Sequence, residues 1–113
     1  MSVATFSRRQ DVLVIEIQVD RLDAAAAPGL KSALEVEVTD QPRRVILDCS
    51  RVGFLDSTGL GVVVSLLKMM AKNGGLAIAG AQPPVARLLK ITQLDRVFRM
   101  FGSVDEAEAA LRG

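Results

Sequence analysis

The chain alternates between short apolar segments typical of strands and longer segments whose apolar residues recur at helical spacing. Residues 12–19 alternate regularly, with aliphatic side chains on one side of the predicted strand and Glu16 and Gln18 on the other. Residues 3–7 precede this strand across a short turn, which predicts an antiparallel pair because so short a connection cannot form a crossover. Residues 44–49 form a nearly continuous aliphatic run, as expected of a strand buried on both faces.

Four segments are predicted to be helices, and most are bounded by residues that favour helix ends. The first is predicted to start near Pro28, because proline suits the first helical turn, and to end at Gln41-Pro42. Asp56 or Ser57 is predicted to cap the second, which Asn73-Gly74-Gly75 ends. The remaining predicted elements are a strand over 76–79, a helix from Gln82-Pro83-Pro84, a strand over 97–101, and a helix that opens with a capping box at Ser103–Glu106 and ends at Leu111.

The order of these elements predicts an α/β fold with a largely parallel sheet, because strands alternate with helices at short intervals. No linker, repeat or low-complexity tract interrupts the sequence, so residues 1–113 are predicted to form a single domain.

The spacing of apolar residues also predicts which helix faces are buried. The predicted buried residues are Leu30, Ala33, Leu34 and Val38 in the first helix, Leu60, Val63, Val64, Leu67 and Ala71 in the second, and Val85, Leu88 and Leu89 in the third.

Charge and composition narrow the range of functions. The 113 residues carry 14 basic and 13 acidic side chains, and a net charge of +1 gives no electrostatic basis for binding nucleic acid or a membrane surface. Tryptophan and tyrosine are absent, so aromatic platforms for base stacking are not expected. The first residues do not resemble a signal peptide and no apolar run reaches membrane-spanning length, so we expect a soluble, cytoplasmic protein.

Side chains that usually carry catalysis or metal binding are scarce. Histidine is absent, which removes the commonest general base and the commonest metal ligand. The single cysteine, Cys49, lies in the aliphatic run and is predicted to be a small core residue rather than a reactive thiol. We therefore expect no metal, no cofactor and no enzymatic activity.

The segment Gly53–Gly61 is where function is expected, because an apolar segment ends there in an acid, two hydroxyls and a glycine. One interpretation is structural, since Asp56 or Ser57 can cap the helix that follows. The other interpretation starts from Gly59 and Gly61, each of which costs a helix about 1 kcal/mol relative to alanine. Two such costs suggest that something approaches the helix backbone closely, as a docked partner would.

A hydroxyl at this junction is also a natural phosphate carrier. A helix N-terminus presents free N–H groups and the positive end of the helix dipole, so a phosphate can be added without unfolding the domain. It would add about −1.5 to −2 charges at neutral pH, which would repel an acidic partner surface. Nucleophilic catalysis by Ser57 is disfavoured, because no histidine and no lysine close in sequence can activate it.

Two consecutive motifs stand out in this region, Val45–Asp48 and then Phe54–Gly61, which contains the run D-S-T-G-L-G. Other distinctive segments are Leu22-Asp23, Gly74-Gly75, Pro84-Val85, Arg87–Leu89 and Ile91–Leu94. In this order the motifs resemble those of the bacterial anti-sigma factor antagonists, which are small single-domain members of the STAS superfamily. The resemblance runs from about the first strand to Leu111.

The resemblance implies a single STAS-type domain, with a four- to five-stranded mixed, largely parallel sheet and about four helices packed against it. It also implies partner switching, in which the unphosphorylated protein binds a serine-kinase anti-sigma factor, a histidine-kinase-like ATPase, and releases that factor's client. By the same resemblance, phosphorylation of Ser57 would switch binding off and a phosphoserine phosphatase would restore it. Thr58 is the less favoured alternative acceptor, and the resemblance assigns ATP and magnesium to the kinase. The implied interface residues are Asp23, Asp56, Ser57, Thr58, Gly59 and Gly61.

Alternatives to this function and to one of its residues stay open at this point. STAS domains also serve as scaffolds or subunits in transport and stress-signalling complexes, where the same helix face would act without a phosphorylation cycle. Asp23 suits a partner contact and a local turn equally. The chain departs from the family at Val19–Arg21, where glycine is common, and near Ala26 and Pro28, where a polar residue is common. These departures affect the rim of the implied interface and leave Ser57 unchanged.

Overall fold

A five-stranded sheet lies at the centre of the computed structural model, which describes residues 2–38, 44–70 and 76–112. The strands of this sheet are β1 (Ala4–Arg9), β2 (Val12–Ile17), β4 (Arg44–Asp48), β6 (Leu76–Ala79) and β7 (Arg99–Phe101). Two short strands, β3 (Arg21–Leu22) and β5 (Phe54–Leu55), form a separate two-stranded sheet. The α-helices are α1 (Ala27–Glu37), α2 (Ser57–Met70), α3 (Pro83–Ile91) and α4 (Val104–Arg112).

The strands of the central sheet lie in the order β1-β2-β4-β6-β7. β1 pairs antiparallel with β2, as the short turn between them predicts, and every other neighbouring pair in this sheet is parallel. The predicted α/β fold, with a mixed, largely parallel sheet and about four helices, is confirmed within the described residues.

Helices cover both faces of the sheet. α1, α2 and α3 lie on one face, where Leu34, Leu66 and Leu89 belong to one core with alternate residues of β2 and β4. α4 lies on the other face, where Ala107 and Leu111 pack with Val12 and Val14 of β2 and Ile46 of β4. Burial on both faces explains the nearly continuous aliphatic run of β4. β2 is also buried on both faces, although its alternation predicted one aliphatic side, because Val12 and Val14 pack under α4. Within the described ranges, no helix has both the length and the hydrophobicity that crossing a membrane requires.

The buried face of α2 differs from the prediction by a rotation of the helix. Among the predicted residues Val63 is buried, whereas Leu60, Val64 and Leu67 are only half-buried. The rotation follows from Gly59, which faces the main chain of β3 and turns that side of the helix inward. The buried residues of α2 are Gly59, Val62, Val63, Leu66 and Met70.

The last strand is shorter than the predicted 97–101. The N–H groups of Val97 and Phe98 donate to the carbonyl of Leu94, each at 3.0 Å, because a 3₁₀-helix precedes them at Leu94–Arg96. Residues bonded in this way cannot join the sheet, so β7 starts at Arg99.

Predicted features that lie outside the described residues are the helix ends at 41–42 and 73–75 and the burial of Ala71.

Cys49 is buried directly after β4, which confirms its predicted place in the core. Its side chain is 4% exposed, and its N–H donates to the Ala79 carbonyl at 2.9 Å. Burial away from water, and to a lesser degree the charge of Asp48, raises the pKa of the thiol from 9.0 to about 12. The thiol is therefore neutral at physiological pH and is a poor nucleophile.

We expect Cys49 to resist thiol reagents while the protein is folded. Near pH 8, DTNB should label the urea-unfolded chain readily and the native protein very slowly. Because the folded thiol holds its proton more tightly, its contribution to stability is complete below pH 9 and is lost as pH rises toward 12. The loss reaches at most about 1.4 kcal/mol per pH unit. Cys49→Ala is the control, and its free energy of unfolding should lack this decrease between pH 9 and 12. Fast labelling of the native wild-type protein would contradict the prediction.

Candidate functional site

A second, two-stranded sheet joins the two chain segments that contain the predicted site residues. β3 and β5 pair parallel, with Leu22 opposite Leu55. Two hydrogen bonds extend the pairing: the Gly53 N–H donates to the Asp20 carbonyl at 2.8 Å, and the Asp56 N–H donates to the Leu22 carbonyl at 3.3 Å. The two acids of the predicted interface, which follow β3 and β5, are therefore held at matching ends of one small sheet.

Asp56 caps α2, which settles the choice between Asp56 and Ser57. Its Oδ1 accepts a hydrogen bond from the Gly59 N–H at 2.9 Å, and its carbonyl accepts one from the Leu60 N–H at 2.8 Å. One carboxylate oxygen thus satisfies a helix N–H that would otherwise lack an intrahelical partner. Ser57 becomes the first residue of the helix and takes no part in the cap.

The hydroxyls of Ser57 and Thr58 lie on the surface at the start of α2. Both residues are exposed, and neither hydroxyl hydrogen-bonds to a residue that the structure describes. Ser57 therefore presents an accessible oxygen beside the positive end of the α2 dipole. Chemical modification of this oxygen would break no hydrogen bond within the described part of the fold.

Gly59 and Gly61 occupy opposite environments. A Cβ added to Gly59 would overlap the Leu22 carbonyl oxygen and would lie 2.8 Å from Cδ1 of Leu55. The close approach that Gly59 permits is thus made by the protein's own β3. A Cβ added to Gly61 would meet no atom within 4 Å, so no packing in the described fold accounts for that glycine.

Asp23 has a local structural role between β3 and α1. Its Oδ1 accepts hydrogen bonds from the N–H groups of Ala25 and Ala26, at 3.1 and 3.2 Å. Its other oxygen lies 3.7 Å from Nε of Arg21. Since the side chain is 28% exposed, the turn leaves part of the carboxylate accessible at the end of β3.

Sequence reasoning did not find a contact between Arg21 and Phe54 next to this site. The guanidinium carbon lies 4.2 Å from the ring centroid, and the aromatic side chain is 39% exposed. Such a cation–π contact at an exposed position contributes about 0.5 to 1 kcal/mol. The contact depends on the pairing of β3 with β5, whose two-residue strands give no periodic signal in the sequence.

An open groove of about 390 Å³ separates the first turns of α1 and α2. α1 contributes residues one turn apart, and α2 contributes a stripe that starts beside Ser57. The groove is lined by Ala27, Pro28 and Lys31 from α1 and by Thr58, Gly61, Val62 and Ser65 from α2. The hydroxyl of Ser65 donates a hydrogen bond to the Gly61 carbonyl at 3.0 Å, so its donor is already used within α2.

The chain matches a known family over most of its length, because the model of the STAS domain fits residues 4–107. The chain belongs to the STAS domain family. The anti-sigma-F factor antagonist RsfB of Mycobacterium tuberculosis is 28% identical over 102 residues, covering 90% of this chain and 81% of RsfB. The anti-sigma-B factor antagonist of Listeria monocytogenes is 31% identical, covering 88% of this chain and 90% of that protein. The crystal structure of an anti-sigma factor antagonist from Mycobacterium paratuberculosis is 27% identical, with a TM-score of 0.89 over 97% of this chain and 93% of that one.

The predicted site residues of this STAS domain converge on the start of α2. Asp56, Ser57 and Thr58 are consecutive, and Gly61 lies one turn further along the helix. Asp23 joins them through the β3–β5 pairing. In the described ranges, no group of three or more acidic or cysteine side chains is placed to hold a metal ion.

Proposed function

We propose that this STAS domain is an anti-sigma factor antagonist. It acts in the bacterial cytoplasm, and it regulates its partner by binding rather than by catalysis. The names of the relatives from Mycobacterium tuberculosis and Listeria monocytogenes support this proposal, since each is at least 28% identical to the chain over most of its length. In this role residues 1–113 act as one domain whose partner is a serine-kinase anti-sigma factor, a histidine-kinase-like ATPase. Binding of the domain releases the client of that kinase.

The proposed switch is phosphorylation of Ser57. The observation that carries it is the free, exposed hydroxyl at the first residue of α2, beside an aspartate that performs the capping. The kinase transfers the γ-phosphoryl group of ATP to the Ser57 Oγ, the hydroxyl proton is lost, and ADP leaves. The phosphate adds about −1.5 to −2 charges and bulk to the surface without removing a bond of the fold. A phosphoserine phosphatase then restores the hydroxyl.

The proposed interface surrounds this hydroxyl. Asp23, Asp56, Thr58 and Gly61 reach the surface around Ser57, and each is at least partly exposed. Gly59 is buried, and its contribution is to let β3 lie directly against α2. ATP and magnesium enter with the kinase, and the domain itself needs no cofactor.

Phosphoryl transfer from the purified cognate kinase tests the assignment of Ser57. We expect the kinase and ATP to add one phosphate to the wild type and to Thr58→Ala, and none to Ser57→Ala. Peptide mapping by mass spectrometry should place the phosphate on Ser57. Equal labelling of Ser57→Ala and the wild type would contradict the assignment, and labelling lost only in Thr58→Ala would transfer it to Thr58.

A further inference from the structure

The groove between α1 and α2 is lined by a lysine side chain that has no ion-pair partner among the described residues. Lys31 lines the groove, whereas no carboxylate does. Lys31 forms no ion pair with any described residue, although Glu35 lies one turn further along α1. The two acids of the proposed interface, Asp23 and Asp56, accept backbone hydrogen bonds in their own turns and form no ion pair with Lys31. The groove therefore presents one unneutralised positive charge to a partner.

Gly61 forms an open stretch of the same groove. Apart from the neighbouring backbone of α2 itself, no described atom lies within 4 Å of the position that a Cβ of Gly61 would occupy, and Gly61 is exposed. At Gly59 the fold itself requires a glycine, because a Cβ there would overlap the Leu22 carbonyl oxygen. Gly61 has no such neighbour, and it leaves the α2 backbone open to a chain that enters from outside.

We propose that this groove receives an acidic side chain of the kinase partner, whose carboxylate pairs with Lys31 and whose backbone passes over Gly61. The charge of Lys31 selects a carboxylate, and the absence of a side chain at Gly61 gives the segment room to approach α2. This inference rests on the proposed function, because it identifies what the partner inserts beside Ser57.

The groove also gives the proposed switch a physical target. Thr58 lines the groove, and Ser57 directly precedes it in α2. A phosphate on Ser57 places negative charge at the rim of the groove, where it opposes an incoming carboxylate and competes for Lys31. Attraction by Lys31 and repulsion by the phosphate then act on the same acidic group.

The first test measures the affinity of the purified cognate kinase for variants of the full chain. Lys31→Glu should weaken binding about tenfold or more because two like charges meet, and Lys31→Gln should fall between this variant and the wild type. Lys68→Glu is the matched control, because Lys68 is exposed near the end of α2 and does not line the groove. It should bind within about twofold of the wild type.

The second variant separates binding from folding. Gly61→Ala should raise Tm by a few degrees, since alanine favours helix and its methyl group meets open space. The same variant should weaken kinase binding about tenfold, because the methyl group occupies the path of the inserted segment. A substitution that stabilises the protein and impairs binding indicates that the glycine serves the partner.

Charge reversal in the kinase completes the test. Each surface Asp or Glu of the kinase is changed in turn to Lys, and one of these variants should restore binding to Lys31→Glu. If the wild-type domain does not bind the kinase, the proposed function fails and this inference fails with it. If the wild type binds the kinase while Lys31→Glu and Gly61→Ala bind equally well, only this inference is overturned.

Discussion

Ser57→Asp is expected to weaken binding of the cognate kinase by about a hundredfold or more while leaving the fold intact. The negative charge would stand at the first residue of α2, where the proposed partner presents an acidic group, and opposition of like charges costs several kcal/mol. The helix tolerates the change because a carboxylate is favoured at a helix N-terminus. Isothermal titration calorimetry gives the affinity, and thermal unfolding should give a Tm equal to or slightly above that of the wild type.

Ser57→Asn is the matched control for Ser57→Asp, because the amide has nearly the same shape and carries no charge. We expect Ser57→Asn to retain most of the affinity and Ser57→Ala to bind like the wild type. Equal loss in the Asn and Asp variants would assign the effect to bulk rather than to charge. Wild-type affinity of Ser57→Asp would contradict the proposed switch.

Gly59→Ala is expected to have the largest effect on stability among these substitutions. Its Cβ would overlap the Leu22 carbonyl oxygen and would lie 2.8 Å from Cδ1 of Leu55. The carbonyl is a rigid obstacle, since it belongs to β3 and accepts the Asp56 N–H. We therefore expect a loss of about 3 kcal/mol in the free energy of unfolding, measured in urea, as α2 is forced away from β3.

Gly61→Ala is the control for this measurement, because both glycines lie in the first two turns of the same helix. Its free energy of unfolding should rise by up to about 1 kcal/mol, so the two substitutions should change stability in opposite directions. A change of the same sign and size at both positions would show that the contact between Gly59 and Leu22 does not govern the packing of α2.

The sequence predicted the order of the five central strands and four α-helices, the class of fold and the place where α2 begins. These features have strong local signals, namely alternation for β2, an aliphatic run for β4, and an acid with two hydroxyls before a helix. The choice between Asp56 and Ser57 as the cap could not be made from composition, because both side chains suit that position. Only the hydrogen bond from the Gly59 N–H to Asp56 distinguishes them.

The features that were missed depend on contacts between distant segments. Pairing of β3 with β5 involves two residues in each strand, too few for an alternating pattern to appear. The rotation of α2, the neighbour of Gly59 and the contact between Arg21 and Phe54 all follow from this pairing. The groove at Lys31 was missed for a related reason, since a lysine on a helix surface is ordinarily solvated and its neighbours come from another helix.

The division of tasks between Asp56 and Ser57 bears on how such a protein can evolve. Asp56 holds the end of the helix, and the side chain at position 57 makes no hydrogen bond to a described residue. Selection can therefore exchange the side chain at position 57 without losing a hydrogen bond of the described fold. A lineage that loses the serine would keep a well-folded scaffold for other assemblies, and a later mutation to serine would regain the acceptor hydroxyl in one step.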